Sequence, residues 1–334
     1  MEYWTTMKDP DNVVEFENLC TRFETERGTV RAVDGVSFAI PKGKTVCVVG
    51  ESGCGKSVTS LSLMGLCKTS EGEIRFRLED GTAIDVTKAP ETELQKLRGD
   101  RIAMIFQEPM TALNPVFPIG KQVGEVLERH YPEMSREAVK ARVLEMLGKV
   151  GIANKEGVYK MYPHQLSGGM RQRVCIAMAL ACSPALIIAD EPTTALDVTI
   201  QAQILELLHD LKEQTECSIL FITHDLGVVA HMADLVVVMY AGKVVEKGTV
   251  EEIFRQPAHP YTIGLMASKP VVGRKVEKLH HIPGSVPDPV HLPEHCYFRE
   301  RCDHDCCDGY PTEVQLSHTH FVSCFRYQEE NHGT

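Results

Sequence analysis

Residues 50–57 read Gly50-Glu51-Ser52-Gly53-Cys54-Gly55-Lys56-Ser57. The short apolar run Thr45–Val49 precedes this stretch, and residues 56–66 have a composition that suits a helix. The sequence therefore predicts a strand buried on both faces, then a glycine loop, then a helix. Glycines let backbone N–H groups close around phosphate oxygens, so the pattern G-x-x-x-x-G-K-S in this setting predicts a loop that binds nucleotide phosphates.

Two side chains of this loop have predicted roles in holding ATP. Lys56 is placed to reach the β and γ phosphate oxygens, and Ser57 is placed to ligate Mg²⁺. The residues predicted to line the nucleotide are Gly50, Glu51, Ser52, Gly53, Cys54, Gly55, Lys56, Ser57 and Val58. The loop predicts nucleotide binding and leaves the reaction open.

An acidic pair, Asp190-Glu191, follows a second apolar run at residues 185–189. Two adjacent acids can be a solvated strand end, but after a phosphate loop they supply what hydrolysis still requires. Asp190 would hold the Mg²⁺ shell, and Glu191 would orient and deprotonate the attacking water. The sequence thus predicts nucleotide hydrolysis with Glu191 as the catalytic base.

The other patterns predict an α/β fold. A third apolar run, Ser218–Ile222, leads into Thr223-His224, and strands that alternate with helices give a largely parallel sheet. Residues 13–40 alternate short apolar and polar stretches, which is typical of an antiparallel hairpin. Residues 135–150 place apolar side chains on one helix face, with Ser135 as its N-cap.

Composition limits the class of protein. The 334 residues, 43% of them apolar, allow one large domain and a smaller appendage. A formal net charge of -11 gives no general attraction to nucleic acid or anionic lipid. No apolar run approaches the roughly 18 residues that a membrane helix requires, and the N-terminal residues do not resemble a secretory signal. We expect a cytosolic protein.

The segment Leu166-Ser167-Gly168-Gly169-Met170 resembles the LSGGQ signature of the ABC ATPase family, with Met170 where the family has glutamine. A serine and two glycines that open a helix can present a hydroxyl and N–H groups to a γ-phosphate. In the family, that phosphate belongs to ATP held by the opposite subunit. The resemblance therefore implies that Ser167, Gly168 and Gly169 contact ATP across a dimer.

The resemblance covers roughly residues 13–255 and implies roles for further residues. Gln107 would contact Mg²⁺ and sense a membrane partner, Asp197 would lie in a loop that links the dimer halves, and His224 would contact the γ-phosphate. Phe23 resembles the aromatic residue that stacks on adenine, although a buried strand phenylalanine is the alternative. The implied fold is an ABC-type ATPase core with an antiparallel β subdomain and a helical subdomain at about residues 110–180.

Three further segments are similar to the dipeptide and oligopeptide importer ATPases, a subgroup that also serves nickel uptake: FQEPMTALNP at 106–115, LSGGMRQR at 166–173 and HPYT at 259–262. The resemblance implies an ATPase that energises import of di- or oligopeptides. Nickel or another solute is the alternative, and a soluble ABC ATPase that acts on nucleic acid or ribosomes is a third.

The same resemblance implies partners and a location. The partners would be a second, related ABC ATPase subunit, two transmembrane permease subunits and an extracytoplasmic peptide-binding protein, with no nucleic acid. The chain would then be a peripheral protein at the cytoplasmic face of the bacterial inner membrane. A second copy of this chain in place of the related subunit remains open.

Cysteines gather near the C-terminus: five of the twelve follow residue 295, namely Cys296, Cys302, Cys306, Cys307 and Cys324. A reducing compartment favours metal binding over disulfides there. Four thiolates suit a [4Fe-4S] cluster or tetrahedral zinc, and the absence of paired C-x2-C knuckles favours the cluster; unmetallated cysteines are the third interpretation.

The subgroup resemblance implies a cysteine-bearing C-terminal extension with Cys296, Cys302, Cys324 and Cys307 as cluster ligands. Cys306 is the alternative to Cys307. Prolines become frequent after residue 256 and predict a linker into this extension. The predicted domains are an ATPase domain at 1–265 and a proline-rich linker with a small cysteine-rich domain at 266–334.

Overall fold

A computed structural model describes residues 9–108, 112–194, 196–268, 281–304 and 308–328. The strands in chain order are β1 (Asn12–Thr25), β2 (Gly28–Pro41), β3 (Thr45–Val49), β4 (Glu71–Arg77), β5 (Ala83–Asp85), β6 (Ile102–Ile105), β7 (Leu186–Asp190), β8 (Ser218–Ile222), β9 (Leu235–Tyr240), β10 (Lys243–Thr249), β11 (Glu313–Gln315) and β12 (Phe321–Ser323).

The α-helices are α1 (Lys56–Leu63), α2 (Glu91–Leu97), α3 (Ile119–His130), α4 (Arg136–Lys149), α5 (Lys155–Lys160), α6 (Gly168–Leu180), α7 (Val198–Thr215), α8 (Leu226–Met232), α9 (Val250–Arg255) and α10 (Pro260–Ala267). Short 3₁₀ helices lie at Pro163–Gln165, Arg299–Arg301 and Phe325–Tyr327. The chain divides into two compact units, residues 1–88 with 222–334 and residues 89–221. Within the ranges that the structure describes, no helix is long and apolar enough to cross a bilayer.

The first unit contains the hairpin that the sequence predicts. β1 and β2 pair antiparallel, with Phe16 opposite Phe38 and the turn between Thr25 and Gly28. The two phenylalanine rings stack with centroids 4.4 Å apart in the core. β4 pairs with the other edge of β1, which gives the antiparallel order β2-β1-β4-β5.

A second sheet region of the first unit carries the glycine loop. β3 pairs parallel with β9, with Val46 opposite Leu235, and β9 continues antiparallel to β10. The C-terminal strands extend this edge, because β12 pairs with β10 and β11 pairs with β12. Every residue of β3 is buried, which confirms the prediction of a strand covered on both faces.

The second unit contains β6, β7 and β8 with helices α2 to α7. β6 and β7 are parallel, with Ile102 opposite Leu186, so their carboxyl ends lie side by side. The predicted helix after residue 135 is confirmed: the Ser135 side chain accepts a hydrogen bond from the Ala138 N–H and α4 follows.

Together, the parallel strands and the separate antiparallel sheet confirm the predicted α/β fold class. One helix is shorter than predicted: α1 ends at Leu63, whereas the sequence predicted a helix that continues to residue 66. Gly65 follows with a φ of 62°, the left-handed conformation in which glycine commonly ends helices. The domain boundaries at 265 and at 110–180 stay predictions.

Candidate functional site

The glycine loop connects β3 to α1 in the first unit. Gly50 has a φ of 153° and Gly55, the N-cap of α1, a φ of 100°. A Cβ on Gly50 would lie 2.2 Å from the Met239 carbonyl oxygen, and one on Gly55 would lie 2.3 Å from that of Ala32. Backbone cannot yield at such distances, so both positions require glycine.

The lysine of the loop lies inside it. Lys56 is buried, and its Nζ donates hydrogen bonds to the carbonyl oxygens of Gly50 at 2.8 Å and Glu51 at 3.1 Å. The Cys54 thiol lies 3.8 Å from the same nitrogen and is 1% exposed. Burial raises the pKa of this thiol. The two hydrogen bonds to backbone carbonyls therefore hold the Lys56 ammonium inside the loop that is predicted to bind phosphate.

Other predicted residues of the loop are open to solvent. Ser52, Gly53 and Ser57 are exposed, and Glu51 and Val58 are partly exposed. The side chains of Ser52 and Ser57 are therefore open to a ligand at the start of α1.

His224 is exposed near the loop-bearing strand. The N–H of the preceding residue, Thr223, donates to the Val48 carbonyl at 3.3 Å. Val48 lies two positions before Gly50, so this hydrogen bond brings the residue before His224 close to the start of the glycine loop. Phe23 is partly exposed on β1, opposite Val30, and its contact with adenine stays a prediction.

In the second unit, the predicted base Glu191 and the predicted Mg²⁺ contact Gln107 meet. Gln107 follows β6 and Glu191 follows β7, and the Gln107 Nε2 donates to the Glu191 Oε2 at 3.1 Å. The Thr194 hydroxyl donates to the same oxygen at 3.0 Å. Asp190, 6% exposed, ends β7 beside them. A Glu191 carboxylate that accepts hydrogen bonds from two neutral donors is held in place at the end of β7.

The signature segment begins α6. The Ser167 side chain caps this helix by accepting from the Met170 N–H at 3.3 Å, and Ser167 and Gly168 are exposed. A Cβ on Gly169 would come within 2.9 Å of the Ile200 side chain, so the start of α6 abuts the start of α7. Asp197 is exposed and caps α7 through the Ile200 N–H at 3.0 Å. The signature and Asp197 are therefore neighbours.

One buried residue of this region was missed by the sequence analysis. Gln172 on α6 is fully buried, and its Nε2 donates at 2.6 Å to the carbonyl of Pro192, directly after Glu191. It ties the signature helix to the end of β7. Gln172 lies between Arg171 and Arg173, so the local sequence gives no signal of its burial, and its partner could not be read from the sequence.

Three of the predicted cluster cysteines, Cys296, Cys302 and Cys324, lie among the described residues. Burial raises the pKa of the Cys324 thiol. Cys306 and Cys307 lie outside the described residues. Among the residues that the structure does describe, no group of three or more ligating side chains has the arrangement of a metal site.

Comparison with known proteins adds two family matches. A model for ABC transporters matches residues 33–194, and a model for the oligopeptide/dipeptide transporter C-terminal region matches residues 245–306. The second match includes Cys296 and Cys302 and the start of the extension.

Two relatives from Bacillus subtilis (strain 168) match nearly the whole chain. The oligopeptide transport ATP-binding protein AppD is 51% identical over 324 residues, which cover 95% of this chain and 98% of the relative. The dipeptide transport ATP-binding protein DppD is 50% identical over 323 residues, which cover 94% of this chain and 95% of the relative.

Solved structures show the same core fold. The dimeric ATP-binding cassette MJ0796 bound to ADP and Pi has a TM-score of 0.63 and 31% identity, and covers 71% of this chain and 98% of its own. The cbiO1 protein of Clostridium perfringens, part of the transporter complex cbiONQ, has a TM-score of 0.62 and 28% identity, with coverage of 74% and 92%.

Proposed function

This chain belongs to the ABC transporter ATP-binding proteins, and we propose that it is the ATP-hydrolysing subunit that energises import of di- or oligopeptides through a membrane transporter. The observation that carries this proposal is the presence of two features in one chain: a glycine loop closed around Lys56 in the first unit and a Glu191 carboxylate fixed by Gln107 in the second. The C-terminal region match and the names of both relatives favour peptides as the transported solute.

Each residue of the site has a chemical task in this proposal. N–H groups of the glycine loop and the Lys56 ammonium would bind the β and γ phosphates, and Ser57, Asp190 and Gln107 would hold Mg²⁺, which would neutralise phosphate charge. Glu191 orients water and accepts its proton, and His224 contacts the γ-phosphate. Phe23 stacks against adenine.

Hydrolysis in this proposal requires a second ATPase subunit. Ser167, Gly168 and Gly169 would contact ATP held by the partner, and Asp197 caps the helix α7 that abuts Gly169. A dimer closed by ATP would drive the permease subunits to change access, and hydrolysis would reset it. We propose a related ATPase subunit as the partner, with two transmembrane permease subunits, a peptide-binding protein, and a peripheral position at the cytoplasmic face of the membrane.

The test uses the assembled transporter in proteoliposomes with its binding protein. ATP hydrolysis is measured without solute, with a dipeptide, with a tetrapeptide and with Ni²⁺. We expect peptides to stimulate hydrolysis, Ni²⁺ to leave it at the basal rate, and Lys56→Ala to abolish both rates. Stimulation by Ni²⁺ alone would assign the motor to nickel uptake and contradict the peptide proposal.

We also propose that the C-terminal cysteines hold a [4Fe-4S] cluster. Support comes from the sequence, in which Cys296, Cys302 and Cys324 are sulfur donors of the type that such clusters require. Cys307, or Cys306 in its place, supplies the fourth thiolate. A bound cluster would cross-link the extension at four points. Zinc held by the same thiolates is the competing interpretation.

Metal content decides between these interpretations. Protein purified anaerobically is assayed for iron, acid-labile sulfide and zinc, beside Cys296→Ser, Cys324→Ser and the control Cys217→Ser, a buried cysteine of the second unit. We expect about four iron and four sulfide per wild-type chain, lost in the first two variants and kept in the control. Zinc in place of iron, or no metal, would refute the cluster.

A further inference from the structure

Glu51, the second residue of the glycine loop, is held by two side chains from the C-terminal part of the chain. Its backbone N–H donates to the Tyr261 hydroxyl at 2.8 Å. Its carboxylate accepts two hydrogen bonds from Arg301, at 2.8 Å from Nη1 and 3.1 Å from Nη2. All three residues lie in the first unit, and neither Tyr261 nor Arg301 belongs to the predicted ATP site.

Arg301 donates hydrogen bonds from all three of its guanidinium nitrogens. The residue is 8% exposed, and its Nε donates to the Pro283 carbonyl at 2.8 Å. Its Nη2 also donates to the Ile282 carbonyl at 3.3 Å, and its Nη1 to the Tyr240 hydroxyl at 3.4 Å. Planar two-point pairing with a carboxylate is specific to arginine, and a buried guanidinium is costly without its partner. Arg301 and Glu51 therefore hold each other in one geometry.

Aromatic rings connect this pair to the sheet. Tyr261 is fully buried, with its ring centroid 4.7 Å from that of Tyr240 and 5.6 Å from that of Phe298. The Arg301 guanidinium lies 5.6 Å from the Tyr240 ring centroid. Tyr240 ends β9, and β9 pairs with β3, the strand that leads into the glycine loop. Tyr261 and Arg301, which hold Glu51, thus pack against the end of a buried strand.

The position of Glu51 also affects the phosphate-binding lysine, because the Glu51 carbonyl accepts a hydrogen bond from the Lys56 Nζ. Gly50, Gly53 and Gly55 all have positive φ, and a loop with three such glycines loses much conformational freedom when it is ordered. A contact that orders the loop beforehand reduces the free energy that nucleotide binding must supply for ordering.

We propose that Arg301 and Tyr261 are positioning residues that hold the phosphate loop, through Glu51, in the conformation that binds ATP. The inference rests on the proposed ATP site and assigns the C-terminal segment a part in ATP affinity. Arg301 touches no phosphate in this account, so its loss changes binding of ATP more than the rate of the chemical step.

The test compares KM and kcat for ATP in the assembled transporter for Arg301→Gln, Tyr261→Phe, Glu51→Gln and the Glu51→Gln/Arg301→Gln double variant. We expect KM to rise about tenfold for Arg301→Gln and about threefold for Tyr261→Phe, with kcat nearly unchanged. The KM of the double variant is expected to be no higher than that of the single variant with the higher KM, because both substitutions remove the same interaction. Arg301→Lys, which keeps the charge but not the two-point geometry, should give an intermediate KM.

Arg299→Gln is the matched control, because Arg299 pairs with Asp308 at 2.9 Å on the surface of the same segment. Arg301 directly precedes Cys302, so all variants are compared at equal iron content. A lower melting temperature with unchanged KM in Arg301→Gln and Tyr261→Phe would overturn the inference and leave the ATPase intact. A wild-type chain that neither binds nor hydrolyses ATP would overturn the proposed function and the inference together.

Discussion

Glu191 has a φ of 46°, a conformation that residues other than glycine rarely adopt. Such strain costs on the order of 1–3 kcal/mol and persists only where the surroundings impose it. Here the hydrogen bonds from Gln107 and Thr194 fix the carboxylate at the end of β7. The backbone strain and the two donors are consistent with a carboxylate that must be held in place for its chemistry.

Cys54 leads to a prediction about chemical modification. The thiolate is the reactive form, and burial both raises the pKa of this thiol and shields it. We expect N-ethylmaleimide to label Cys54 in the native chain at least about tenfold more slowly than in urea, measured by mass spectrometry. ATPase inactivation should then proceed equally in wild type and Cys54→Ala. Faster inactivation of the wild type would contradict this.

At the residue scale, the sequence predicted what depends on local pattern. Lys56, Asp190 and Glu191 stand at fixed places in motifs, and the structure brings Gln107 to Glu191 because β6 and β7 are parallel neighbours. The partners of Gln172 and Arg301 were not foreseen. These two side chains make their contacts with residues that are remote in sequence, and no local pattern records such contacts.

Among the helices, α10 depends on a histidine cap. The His259 Nδ1 accepts a hydrogen bond from the Tyr261 N–H at 3.0 Å, and the His259 N–H donates to Glu246. Burial lowers the pKa of His259 to about 4, although the nearby Glu246 carboxylate opposes the shift. The cap therefore stays neutral in the folded chain at pH values where an unfolded histidine is charged.

This cap predicts a pH dependence of stability. Between about pH 6.5 and pH 4 the unfolded chain binds a proton at His259 that the folded chain does not, so stability falls as pH is lowered through that window, by up to ~3 kcal/mol. His259→Asn, which can cap but cannot titrate, should flatten the fall in melting temperature over this range. The exposed His291→Asn serves as the control and should keep the wild-type slope. Parallel slopes in wild type and His259→Asn would contradict the account.

At the element scale, the length of a strand or helix determined whether it could be predicted from the sequence. Runs of five buried residues such as β3, β7 and β8 were evident, as was the helix capped by Ser135. β11 and β12 have three residues each, too few for a period to be read. β12 also pairs with β10, a strand about seventy residues earlier, and that partner is chosen by tertiary packing.

Within the first unit, a buried carboxylate joins the C-terminal segment to the sheet. Glu246 on β10 is 1% exposed and accepts hydrogen bonds from the Ala258 N–H at 2.7 Å, the His259 N–H at 2.8 Å and the His320 Nε2 at 2.7 Å. Val322 and Cys324 pack against Ala258 beside it. One side chain therefore binds both the start of α10 and the end of the chain to the sheet.

Glu246→Gln is predicted to be strongly destabilising. The amide nitrogen would face donors in place of an acceptor, which costs about 3 kcal/mol or more and lowers the melting temperature by on the order of 5 °C. Calorimetry of the full chain measures the effect. Glu251→Gln, whose side chain is exposed and pairs with Arg255 on α9, should leave the melting temperature within about 1 °C. Equal melting temperatures in the two variants would contradict the role of Glu246.

At the scale of the whole molecule, composition predicted a change near residue 265 but not which parts of the chain pack together. Residues 222–334 group with residues 1–88, because β9 pairs with β3 and the C-terminal strands extend β10. Changes in proline and cysteine content report where the type of sequence changes. They do not report that Arg301 reaches back to Glu51.

The most direct test of the central claim is uptake of a labelled dipeptide into proteoliposomes that contain the transporter and enclosed ATP. Wild type and the control Glu206→Gln, an exposed position on α7, should accumulate peptide only when ATP is present. Glu191→Gln should still bind ATP but lose uptake by at least about 100-fold, because no base activates the water. Uptake by Glu191→Gln at the wild-type rate, or uptake without ATP, would contradict the account.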